Sequence, residues 1–111
     1  MSAVFAYITA ASPQQAETIG RALVNERLAA CVNILPGMRS IYHWQGTVET
    51  AEETVLIAKT RQSLAEALTA RVRELHDYDV PCVVILPITG GLPAFLRWIE
   101  DETAPGATSL C

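Results

Sequence analysis

The chain has 111 residues, half of them hydrophobic, with eight basic and twelve acidic side chains and a net charge of −4. That length suits one domain with an interior large enough to fold without staples. Basic residues this few and this scattered exclude nucleic acid and an anionic membrane as main partners, because phosphate binding needs clustered positive charge, and no apolar run approaches the roughly 18–20 residues that span a bilayer.

In chain order, Val4 to Thr9 reads as a first strand. Ser12-Pro13-Gln14-Gln15 starts a helix: Ser12 caps, Pro13 suits the first helical position, and Gln15 reaches back as in a capping box. Ala16, Ile19, Leu23 and Leu28 then mark an apolar helical stripe. Cys31 to Leu35 is a second strand that resumes after Pro36-Gly37 and runs to Trp44; Val55 to Thr60 is a third. Ser63 with Glu66 predicts a second capping box, followed by the stripe Leu64, Leu68, Val72, Leu75. Pro81 precedes a fourth strand, Cys82 to Ile88, broken by Gly90-Gly91, and a short closing helix carries Phe95, Trp98 and Ile99. Residues from about 103 to 111 read as a loose tail to a single domain spanning 1–111.

This β-α-β-β-α-β order plus a helix predicts an α+β, ferredoxin-like sandwich, with the usual strand order 4-1-3-2. Helices cover one face of such a sheet, and an exposed second face should be polar. Here it is not. Strand one offers Val4, Ala6 and Ile8 against Phe5 and Tyr7, strand three Val55 and Ile57 against Leu56 and Ala58, and strand four Val83 and Ile85 against Val84 and Leu86. An apolar second face with too little chain to cover it implies a homo-oligomer.

The N-terminal run Met1 to Ile8 has no basic leader and carries strand pattern, so a cytoplasmic protein is expected. Cys31, Cys82 and Cys111 are odd in number with no CxxC spacing, which reads as free thiols in a reducing compartment.

Four stretches carry a resemblance, in this order: Glu26-Arg27-Leu28-Ala29-Ala30-Cys31-Val32-Asn33, Ser40-Ile41-Tyr42-His43-Trp44-Gln45-Gly46, Glu53-Thr54-Val55-Leu56-Ile57-Ala58-Lys59-Thr60, and His76-Asp77-Tyr78-Asp79-Val80-Pro81-Cys82. Together they resemble the signature of the CutA family, the divalent-cation tolerance proteins, over about Val4 to Trp98. The resemblance implies a homotrimer with its sheets facing inward, binding copper or another divalent metal and acting in the response to metal ions. It also implies kinship of fold with the trimeric PII regulators, and hence an alternative role as a ligand-sensing module with an inter-subunit cleft lined by Trp44, Glu53, Lys59 and Tyr78. A third role is a structural assembly module. The last stretch departs from the family run: Asp77 stands for Pro, Asp79 for Glu, and Cys82 for a frequent Glu.

Lys59 is the chain's one lysine. Six positions from Glu53 on a strand, it shares a face with that carboxylate about 20 Å away, so the two cannot pair. Lys59 either holds a small anionic ligand or a carboxylate in a cleft, or makes a structural contact at the strand end. Tyr42 and Trp44 share a face and either wall a pocket or fill an apolar contact between subunits. Cys31, His76 and Cys82 are the candidate metal ligands, since thiolates suit Cu(I) and imidazole suits Cu and Zn. Cys31 and Cys82 lie on strands at opposite edges and meet only across an oligomer interface; the alternative is buried thiols acting as small hydrophobes. His43 is expected to face solvent. Asp77 and Asp79 flank Tyr78, as an acid–base pair or as a solvated loop. No GxSxG elbow, phosphate loop, HExxH or dinucleotide fingerprint is present. A non-enzyme with no obligatory cofactor is therefore expected.

Overall fold

The computed structural model describes residues 2–104. Its elements are β1 (Ala3–Ala10), α1 (Pro13–Asn25), β2 (Cys31–Trp44), β3 (Thr47–Arg61), a 3₁₀ turn (Gln62–Leu64), α2 (Ala65–Leu75), β4 (Val83–Pro87) and α3 (Pro93–Glu102). The four strands form one antiparallel sheet in the order β2-β3-β1-β4, the expected order read from its other edge.

The apolar stripes of α1 and α2 bury against one face of this sheet. Ala16, Ile19 and Leu23 of α1 and Leu68 and Val72 of α2 pack with Ala6, Ile8, Leu56 and Ala58, all essentially inaccessible. Gly20 lets α1 approach closely, since a Cβ there would lie 3.3 Å from Val32 Cγ1. A smaller cluster, Ala3, Ala30 and Ile99, joins α3 to the end of the sheet.

Both helix ends of α1 follow from local chemistry. Ser12 Oγ accepts from Gln15 N at 3.1 Å, while the Gln15 side chain reaches one residue beyond the expected box, to Ala11 N at 3.4 Å. At the C-terminus Leu28 N donates to Leu23 O and Arg27 N to Val24 O, closing a Schellman motif with Arg27 in the left-handed region at φ 61°. Leu28 therefore lies beyond the helix and packs on the core from the loop. Arg27 is held there by Glu102 of α3 at 2.8 Å.

Three other expectations are corrected. The second capping box does not form: Ser63 lies inside the 3₁₀ turn, and α2 starts from Leu64 with no side-chain cap. β3 begins at Thr47, eight residues before the expected strand, because the acidic run Thr47 to Glu53 pairs with β2 along a protruding arm. Thr103, expected in the tail, is buried, with its hydroxyl donating to Ile99 O and accepting from Arg61 Nε. Residues 105–111, including Cys111, lie outside the described residues.

The arm is two strands deep and no more, since β1 pairs with β3 only from Thr54 to Arg61. Its tip, Gln45-Gly46, has φ of 48° and 86°, the signature of a type I′ turn that suits the strand twist. At its base β2 carries a bulge: Leu35 pairs with Val55 and Met38 with Glu53, so Pro36 and Gly37 together face Thr54 alone. Gly37 supplies the positive φ, 79°, at this extra residue.

The second sheet face is apolar and uncovered in the single chain. Leu35 is 53% exposed, Val84 51% and Leu86 36%. Replacing a residue of the covered face, by contrast, should destabilise the chain: Leu56→Ala is expected to cost about 2–5 kcal/mol in a urea titration, with an unchanged slope.

Candidate functional site

The bulge decides which arm residues face the body of the protein. Before it, Cys31, Asn33 and Leu35 share a face with Lys59, Ile57 and Val55; after it, Met38, Ser40, Tyr42 and Trp44 share that same face with Glu53. The loop from α2 to β4 comes up beside the arm where β1 ends. A cavity of about 370 Å³ opens between them, lined by Thr9, Tyr42, Trp44, Glu53, Tyr78, Asp79, Val80 and Cys82. A larger but shallower depression, about 720 Å³, runs along the solvated side of α2 and gathers no comparable set of groups.

A chain of hydrogen bonds fixes this site. His76, buried at the end of α2, presents Nε2 to Thr9 O at 2.7 Å, while its Nδ1 accepts from Tyr78 N at 3.1 Å. Because a carbonyl only accepts and a backbone N–H only donates, the ring is the neutral Nε2–H tautomer with both nitrogens engaged. It stacks at a tilt on Tyr78, with ring centroids 4.7 Å apart. The Tyr78 hydroxyl donates to Glu53 Oε2 at 3.1 Å, and Ser40 Oγ donates to Glu53 Oε1 at 2.6 Å. The loop is thus tied to the arm through one carboxylate that receives two neutral donors.

The residues expected to act together are only partly assembled. Trp44, Glu53 and Tyr78 line the cavity; Lys59 does not. It lies six residues along β3, where its ammonium donates to Asn33 Oδ1 next to Cys31. An anion cannot be held by Lys59 in the same cleft as Trp44 within one chain. Cys31, His76 and Cys82 are likewise not brought together. Cys82 lies beside Thr9, whereas Cys31 pairs through Lys59 with the Phe5 end of β1, so four residues and three strand spacings put them roughly 20 Å apart. The His76 nitrogens are already occupied, and the described residues contain no group of three or more His, Cys, Asp or Glu placed to hold one ion. Asp77 and Asp79 lie in an exposed bend, and His43 is exposed.

Sequence reasoning missed three features: Asp79 as a wall of the cavity, Ser40 as a partner of Glu53, and His76 as the support for Tyr78. The Pro36-Gly37 dipeptide carries the available signal, since a bulge there shifts Ser40, Tyr42 and Trp44 onto the face of Glu53.

The fold recurs in known proteins. Residues 4–102 match the family described as CutA1 divalent ion tolerance protein. The chain belongs to the CutA family. It is 49% identical to the divalent-cation tolerance protein CutA of Thermus thermophilus over 96 residues, 86% of this chain and 93% of that one. To the chloroplastic CutA protein of Arabidopsis thaliana it is 46% identical over 100 residues, 90% of this chain but 55% of the relative, so it spans about half the length of that plant protein. The crystal structure of CutA1 from Oryza sativa superposes with a TM-score of 0.91 at 42% identity, covering 94% of this chain and 95% of that one. With the fold of its CutA relatives goes the mixed α+β architecture expected from the sequence.

Electrostatics in the cavity are acidic. Tyr78 is pushed up to about 12 from its ordinary value of 10.0, first by desolvation and then by its hydrogen bond to Glu53 and the charges of Glu53, Tyr42 and Asp77. A raised folded-state value means that any stability linked to this phenol is present below about pH 10 and is lost as pH rises towards 12. The contribution is small because the side chain is 37% exposed. Spectrophotometric titration should therefore show Tyr78 ionising near pH 12, a step lost in Tyr78→Phe, and Glu53→Gln should bring it part of the way back towards 10.

Proposed function

We propose that this CutA-family chain is a self-associating, small-molecule-binding protein and not an enzyme. The observation that supports this reading is the cavity beneath the arm, where three aromatic rings and two carboxylates converge around a hydrogen-bonded core. Exposed aromatic surface in a concave site has the character of a ligand pocket, with polar groups to orient what enters. In this reading the chain takes part in a metal-ion response, as the names of its relatives suggest, and does so by sensing a ligand.

Assembly is the second part of the proposal. The open sheet face presents Phe5, Tyr7, Ile57, Val84 and Leu86, and the same face of further copies is its chemical complement. A homotrimer with sheets facing inward buries this surface. The cytoplasm is the proposed location. No helix among the described residues is long and apolar enough to cross a membrane, while the Arabidopsis relative is chloroplastic by name.

Direct metal binding does not fit the residues of one chain, for the reasons given above. A copper or zinc site would need thiols from two copies, with Cys31 on the open face as one donor.

Light scattering of the purified protein tests the assembly. A mass three times the 12.0 kDa chain is expected, and Val84→Lys, which buries a charge in the apolar contact, should shift the population to monomer. A monomeric parent protein would refute the trimer. For metal, Cu(I) competition against a chelator is expected to show no tight uptake by monomeric Val84→Lys, and any uptake by the assembled protein should fall with Cys31→Ser.

A further inference from the structure

We infer that the cavity beneath the arm is selective for an organic cation, an alkylated ammonium whose carbon groups pack against the rings of Tyr42, Trp44 and Tyr78 while Glu53 and Asp79 balance its charge. The inference rests on the cavity being a ligand site, as proposed above, and adds the class of ligand.

The first argument is charge. Within one chain, two carboxylates line the cavity and no basic side chain does. The eight basic residues are directed elsewhere: Arg21 pairs with Glu17, Arg27 with Glu102, and Arg71 with Glu26 and Glu74. Arg61 donates to Glu100 O and Thr103, and Lys59 to Asn33. Arg39 pairs in register with Glu52, whose side chain points to the opposite face of the arm from Glu53, and Arg73 and Arg97 lie on α2 and α3. Among the described residues, neither Glu53 nor Asp79 has an ion-pair partner. Glu53 is stabilised only by the neutral hydroxyls of Ser40 and Tyr78, and its charge is left to act on whatever occupies the cavity.

Ring chemistry is the second argument. Tyr42, Trp44 and Tyr78 are 40%, 52% and 37% exposed at the cavity wall. Aromatic faces attract ammonium groups through their quadrupoles, most strongly when the cation carries alkyl groups and is easily desolvated. They offer nothing to a bare divalent ion, which needs oxygen, nitrogen or sulfur donors. Glu53, Asp79 and Cys82 are the lining groups with metal-donor chemistry, and the described residues contain no group of three or more His, Cys, Asp or Glu placed to hold one ion. A volume of about 370 Å³ accommodates a small organic molecule.

Isothermal titration calorimetry on the full chain decides it, with four probes: benzyltrimethylammonium, neutral benzyl alcohol, benzenesulfonate and Zn²⁺. The ammonium probe should bind saturably and at least tenfold more tightly than the alcohol or the sulfonate. Glu53→Gln and Asp79→Asn should each weaken it by about five- to thirtyfold, with Trp44→Ala weakening it further. Asp79 lies in an exposed bend, so its variant remains informative should Glu53→Gln fold poorly. Equal or tighter binding of the alcohol or the sulfonate, lost in Trp44→Ala, would overturn cation selectivity while leaving the cavity as a ligand site. Tight Zn²⁺ binding that displaces the ammonium and is lost in Cys82→Ser would replace the organic cation with a metal. Absence of binding by all four probes would overturn both the inference and the ligand-site reading.

Discussion

One extra residue in β2 governs the layout of the molecule. Side chains on a strand alternate between faces, so an unbroken pairing of β2 with β3 would have left Tyr42 and Trp44 on the side away from Glu53. The bulge at Pro36-Gly37 shifts the parity, and everything distal to it changes face together. Gly37 makes that shift possible because the bulged backbone needs a positive φ, which residues with a Cβ adopt at a cost. From this single irregularity follow the aromatic wall of the cavity and the Ser40–Glu53 hydrogen bond.

The other half of the cavity is positioned by a buried histidine. His76 spans from the end of α2 to the Thr9 carbonyl and receives the Tyr78 backbone N–H, so the loop leaves the helix in a fixed direction. Tyr78 then reaches Glu53 across the gap. Rigid core, buried imidazole, loop phenol and arm carboxylate form a continuous path from the packed interior to the most exposed part of the protein. Partly exposed polar groups joined in this way define one geometry where isolated ones would sample many.

Much of this fold was legible in the sequence because burial writes itself as periodicity. The stripe Ala16, Ile19, Leu23 and the alternation in β1 and β4 correspond to residues that pack as those patterns require. Thr47 to Glu53 was not legible as a strand, since an arm in solvent needs no apolar alternation and the cross-strand partner supplies the only constraint. Ser63 misled for the opposite reason: a good local capping pattern lost to a 3₁₀ turn that carries the chain from the sheet into α2. The site was harder still. Trp44, Glu53 and Tyr78 are distant in sequence and meet only through a register shift, and Lys59, grouped with them by the resemblance in a cleft between subunits, lies apart from them within one chain.

The arm has a further property that follows from its thinness. Beyond Thr54 the β2–β3 ribbon has no third strand and no helix against it, and its tip residues Ile41 and Val48 are 70% and 66% exposed. A two-stranded ribbon is marginally stable in water, so its hydrogen bonds open at a far lower free energy than those of the sheet it extends. A single chain therefore has two tiers of cohesion, a sheet backed by the helices and a ribbon held by its own cross-strand bonds. The aromatic wall belongs to the looser tier, and the carboxylate at the ribbon's root lies on the boundary between them. A molecule lodged against both would convert that boundary into a seam.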